Sequence, residues 1–155
     1  MKIEDIGVLS EVFCRVLEQT AFMFAVPTDI NELNQVPGTQ SYLQSCITFS
    51  GQCTGLISFT IPEELSIEIA ANIIGANLEI EGQLAIEQKN DAISEMINIL
   101  CGQFLTMVEG DKPVFDLSVP VASQLSPSDW IALKALDGTA GLMIDDYPVL
   151  LHMAL

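Results

Sequence analysis

The stretch DAISEMINIL, residues 91–100, carries Asp91, Glu95 and Asn98 at i, i+4 and i+7, and Gly102 follows four residues later. On a helix of about 100° per residue these four side chains fall within an arc of about 60°. The opposite arc holds Ile86, Ile93, Met96, Ile97, Leu100, Phe104 and Met107, an apolar stripe about 100° wide that has to face a core. The segment predicts a helix with one buried side and an outward ridge of two carboxylates, an amide and a glycine. Asn98 and Gly102 together cost such a helix about 1–1.5 kcal/mol relative to alanine. Gly102 does not end the helix, because Phe104 and Met107 continue the period beyond it. Lacking a Cβ, it would let another molecule approach the ridge just below Asn98.

Two carboxylates one turn apart supply only part of a divalent-cation shell. An exposed ridge offers no desolvation to separate two carboxyl pKa values for acid–base work. An amide neither gives nor takes a proton at neutral pH, but it can hold a water molecule in place. That role suits a ridge completed by insertion into another protein's site. On these residues alone a merely solvated polar face stays open as the alternative.

No other constellation competes. The single histidine, His152, leaves no Ser-His-Asp arrangement, and no Gly-rich phosphate loop is present. Cys14, Cys46, Cys53 and Cys101 form no CxxC pair, so no metal site is expected. A turn at Ser50-Gly51 would set Cys53 opposite Thr48 and Cys46 opposite Gly55, diagonal neighbours poorly placed for a disulfide. Free thiols are expected, in keeping with a reducing compartment. Trp130, Met96, Met107 and Met143 read as packing residues, and His152 as a surface or satisfied strand position. Gln88 and Thr106 flank the ridge at about 60° and are candidates for touching a partner. Glu79 and Glu81 read as part of a solvated link.

The elements that must position the ridge follow from periodicity and punctuation. Residues 7–25 predict a helix whose period runs from Leu9 through Val16 and Leu17 to Phe24, stopped by Pro27. Residues 27–40 read as a loop. Residues 41–49 and 52–61 predict a hairpin, and Pro62 opens a helix that Gly75 closes. The long helix spans about 83–109, before Gly110 and Pro113. Strands are expected at 114–121, 130–136, 139–145 and 149–154, with QLSPSD as a loop and Asp137-Gly138 as a type I′ hairpin turn. The order α-ββ-αα-ββββ predicts an α+β fold, an antiparallel or mixed sheet with long helices packed on one face.

The chain has 155 residues, enough for one domain spanning 1–155. Half are hydrophobic, and mean hydropathy is +0.43. No apolar run is long enough to span a membrane, and the acidic start lacks a secretory signal's basic region, so a cytoplasmic location is expected. Twenty-one acids against five cations give a net charge of −16. That argues against nucleic acid and anionic membrane surfaces as partners.

Asp91, Glu95 and Asn98, read as D-x-x-x-E-x-x-N, with Gly102 and a downstream proline, Pro120 in FDLSVPV, resemble the CheX/CheC family of chemotaxis phosphatases. The segment from Phe49 to Gly75 is similar to the part of that family preceding the catalytic helix. The resemblance spans about residues 8–154. It implies a CheC-like fold with a degenerate internal α-β repeat. It also implies hydrolysis of the phospho-aspartate of a CheY-type receiver domain. Asn98 would orient the attacking water, and Glu95 would pair with the receiver's active-site lysine. Asp91 and Gly102 would belong to the receiver-docking surface. No cofactor of its own is implied, because the receiver carries the Mg²⁺. In the first helix, aligning Glu18 with Glu95 sets Cys14 at the position of Asp91 and Ala21 at that of Asn98. Ala21 cannot position water, so a single active motif is expected, as in the CheX-like branch, whose members include homodimers. A receiver-binding or dimeric scaffold module without catalysis, and an assembly domain with a solvated ridge, are the alternatives.

Overall fold

In the computed structural model, residues 1–77 and 84–155 are described. The predicted link residues Glu79 and Glu81, and the expected helix start at 83, lie outside them. A short 3₁₀ turn precedes helix α1 (Ile6–Ala21), and strands β1 (Ala25–Thr28), β2 (Tyr42–Ser50) and β3 (Thr54–Pro62) follow. Next come α2 (Glu63–Ile74), α3 (Ile86–Glu109), β4 (Asp116–Leu117) and β5 (Val121–Leu125). Helix α4 (Pro127–Lys134), β6 (Thr139–Ile144) and β7 (Tyr147–Ala154) complete the chain.

The strands form one antiparallel sheet in the order β1-β6-β7-β3-β2, with β4 and β5 both pairing with β2 at the far edge. Alternation along the strands divides two cores. Ile47, Ile57, Phe59, Leu151 and Met153 join α1, α2 and α3 in the larger one. Tyr42 and Leu150, of opposite parity, meet Leu33, Trp130 and Leu133 on the other face. The predicted α+β class, with its long helices on one face, is what the chain adopts. The short α4 covers the second face.

Several predicted elements move. Helix α1 ends at Ala21, not 25, because Phe22 turns left-handed (φ 56°, ψ 33°) and closes the last turn onto the Glu18 carbonyl at 3.2 Å. Phe24, expected in the core, is 69% exposed. Residues 25–28, split between helix and loop in the prediction, pair with β6 instead. Pro27 is tolerated because β1 is an edge strand. The β2–β3 turn takes Gly51, Gln52 and Cys53, so Cys46 faces Ser58 and Cys53 lies outside the ladder. All four cysteines are free thiols. Gly51 is required there, since a Cβ would lie 2.6 Å from the Val114 carbonyl.

The predicted 114–121 strand is broken, and Pro120 lies between its two pieces. Phe49 pairs with Leu117 but Cys46 with Val121, so the edge carries one more residue than β2 does. That is a β-bulge. Ser118 holds it, its N–H donating to the Thr48 carbonyl and its Oγ accepting from the Thr48 N–H, both at 2.9 Å. The expected strand 130–136 is instead helix α4. Ser126 caps it, with Oγ accepting from Asp129 N–H at 3.2 Å while Ser126 N–H donates to Asp129 Oδ2 at 2.9 Å. These bonds hold the Asp129 carboxyl below its ordinary pKa. Asp137-Gly138 joins this helix to β6, and the real hairpin turn is Asp145-Asp146, with β7 starting at Tyr147.

Candidate functional site

Helix α3 positions the ridge by burying its other side. Ala92, Ile93, Met96, Ile97, Leu100, Cys101, Phe104 and Leu105 are all buried. Fully burying each larger apolar side chain is worth about 1.5–3 kcal/mol, so the stripe taken together outweighs the cost of Asn98 and Gly102 several times over. The stripe is shorter than predicted. Ile86 is 73% and Met107 49% exposed at the two ends, so neither belongs to the core. Met96 is buried as expected, and Met143 packs partly buried on the second face. Burial pushes the Cys101 thiol up to about 12, which leaves it inert at neutral pH.

Asp91 and Glu95 are exposed, and Asn98 and Gly102 are half-buried along the same face. Among the described residues, no hydrogen bond or ion pair engages the side chains of Asp91, Glu95 or Asn98. Their polar atoms are open to a partner. Gly102 stands mid-helix without left-handed backbone, and a Cβ built on it meets nothing within 4 Å. Among the described residues, neither local geometry nor packing asks for glycine there. Gly51, pressed against residues 114 and 115, is the opposite case.

Gly102 is the saddle between two hollows. One, of about 270 Å³, is lined by Arg15, Gly102, Gln103, Thr106 and Met107. The other, of about 160 Å³, is lined by Gly102, Leu105, Thr106, Pro113, Phe115 and Leu117. Thr106 borders both, whereas the Gln88 side chain accepts from Ala85 N–H at the start of the helix. Arg15, which the sequence pattern did not single out, reaches the first hollow from α1. A larger hollow of about 450 Å³ between α1, β1 and β6 has, among the described residues, Glu11 as its one titratable lining residue and shares none with the ridge.

The counterpart of the ridge on α1 is not built for the same work. Ala21 is fully buried, and the Cys14 thiol, half-buried, donates to the Ala25 carbonyl at 3.5 Å. His152 sits in β7 with Nδ1 2.9 Å from Thr139 Oγ1, a satisfied strand position. Among the described residues no group of His, Cys, Asp or Glu is placed to hold a metal ion, and no helix is long and apolar enough to cross a membrane.

The family model of the chemotaxis phosphatase CheX matches residues 43–130, more than half of the chain and all of α3. The chain belongs to the CheX family. Its fold is shared by solved CheX and CheC-like proteins of low sequence identity. A chemotaxis protein CheX from Desulfovibrio desulfuricans is 15% identical with TM-score 0.68, over 98% of this chain and 99% of that one. A CheC-like superfamily protein from a Shewanella species is 18% identical with TM-score 0.63, over the whole of both chains. The CheX–CheY–BeF₃–Mg²⁺ complex from Borrelia burgdorferi matches at 15% identity and TM-score 0.60, over 99% of this chain and 100% of that one. No curated protein matches.

Proposed function

We propose that this CheX-family chain hydrolyses the phospho-aspartate of a CheY-type receiver domain, using one site on α3. The observation that carries the reading is Asn98, a half-buried amide whose side chain has no partner among the described residues, standing between Glu95 and the open saddle at Gly102. The CheX–CheY complex of the Borrelia relative supports a CheY-type partner.

In this reading the ridge inserts into the receiver's active site. The amide of Asn98 accepts from and donates to one water and aims it at phosphorus. The water's oxygen forms the new P–O bond, the acyl P–O bond breaks, and the aspartate carboxylate leaves with inorganic phosphate as the other product. The leaving group is a stable carboxylate, so positioning is the main demand on the phosphatase. Glu95 pairs with the receiver's lysine and fixes the register. Asp91 adds to the acidic docking face, and Gly102 lets the partner close. This chain brings no cofactor, and the Mg²⁺ belongs to the receiver. Burial of Ala21 supports a single site per chain. A homodimer belongs to the same proposal, since the β4–β5 edge leaves Val119 and Val121 84% and 61% exposed.

The test is the half-life of an acyl-phosphorylated CheY-type receiver in Mg²⁺ buffer. Wild type should shorten it catalytically, and Asn98→Ala should abolish the effect, with a fold stabilised by about 0.5 kcal/mol because alanine is the better helix former. Full activity in Asn98→Ala would sink the water-positioning role. Binding by wild type without turnover would leave a receiver-docking module.

A further inference from the structure

Arg15 lies on α1 across the hollow of about 270 Å³ from Gly102. It is exposed, and both terminal guanidinium nitrogens donate to Met107 Sδ at 3.7 Å. A thioether is a weak acceptor, and a guanidinium carries five N–H donors, so most of its capacity is unused. Glu11 and Glu18 stand at i−4 and i+3 on the same helix, the spacing of helical ion pairs, in a chain with 21 acids. Neither is engaged: among the described residues no carboxylate lies within ion-pair distance of Arg15. Lys89, by contrast, pairs with Glu63, and Lys134 donates to the Leu33 carbonyl at 2.6 Å.

The ridge is therefore bipolar. Asp91 and Glu95 lie toward one end of Asn98, and a guanidinium with no carboxylate partner among the described residues lies beyond Gly102 toward the other. We propose that Arg15 is a specificity-determining docking residue, which takes a carboxylate side chain of the receiver into the hollow beside Gly102. This rests on the receiver-phosphatase reading and adds the chemistry of the partner's second contact. Guanidinium matches carboxylate geometry in two parallel hydrogen bonds. With a cation of the receiver at Glu95 and an anion at Arg15, only one orientation sets Asn98 against the phosphoryl group. Reversed docking would bring like charges together at both ends.

The experiment is a titration of the CheY-type receiver from the same organism whose acyl-phosphate half-life wild type shortens most, comparing wild type with Arg15→Glu, Arg15→Lys and Asn98→Ala. Arg15→Glu should raise KM about tenfold or more with kcat within about twofold, as for loss of binding shared by ground and transition states. Arg15→Lys should recover part of the loss, and added salt should raise the wild-type KM more than that of Arg15→Glu. Asn98→Ala should lose kcat instead. Unchanged KM in Arg15→Glu, alongside an inactive Asn98→Ala, would overturn the docking role and leave the phosphatase reading standing. Failure of wild type to shorten any receiver's half-life would overturn both.

Discussion

Asn98 and Gly102 were legible as exceptions, because each contradicts helix propensity on a helix whose apolar side is otherwise regular. Their open surroundings are what a partner-directed ridge requires. Arg15 was not legible: a single cation on α1 carries no periodic signal, and its place beside Gly102 depends on how α1 packs on α3. His152 shows the same limit. Its strand position was expected, but its pairing with Thr139 and its partial burial come from the β6–β7 register. Burial lowers the pKa of His152, so protonation favours the unfolded chain. The sign is then definite: stability is full above the ordinary histidine value and falls as pH drops from about 6.5 toward the lower folded value. Urea midpoints measured between pH 7.5 and 5.5 should decline in wild type, and His152→Gln should flatten that decline. An equal slope in both proteins would rule out His152 as its source.

At the scale of elements, the three long helices and the β2–β3 hairpin followed from pattern, within a few residues at their ends. The two mistaken elements have different causes, one long-range and one local. Residues 25–28 became strand because β6 was there to pair with them, and residues 127–134 became helix through the reciprocal Ser126–Asp129 cap. The second signal, Ser126 and Asp129 flanking Pro127, is local and stands in the sequence inside the stretch read as a loop. Helix α3 offers a test in which stability and function part company. Gly102→Ala should raise stability by about 0.5–1 kcal/mol, since the added methyl meets open space. The same methyl should raise KM for the receiver, because it stands on the saddle between the two hollows. Unfolding by urea and receiver titration on one preparation would check both. A destabilised Gly102→Ala would mean that the glycine serves this chain's own fold.

On the scale of the whole molecule, the two sheet edges differ. Pro27 blunts β1, whereas the β4–β5 edge keeps exposed valines and, among the described residues, no strand partner on its outer side. The proposed homodimer should use that second edge. Sedimentation should give a two-chain mass that Val121→Lys shifts toward one chain, and a one-chain mass for wild type at micromolar concentration would exclude it. The sequence by itself determined the class of fold, the buried stripe of α3 and the line of Asp91, Glu95, Asn98 and Gly102. All of these depend on spacing along a regular helix or strand, a property local to the chain. Tertiary structure alone decided the edge strand at residues 25–28, the bulge around Ser118 to Pro120, and Arg15 facing Gly102. Each depends on which distant segment supplies a hydrogen-bond ladder or a packing surface, and no local periodicity encodes that choice.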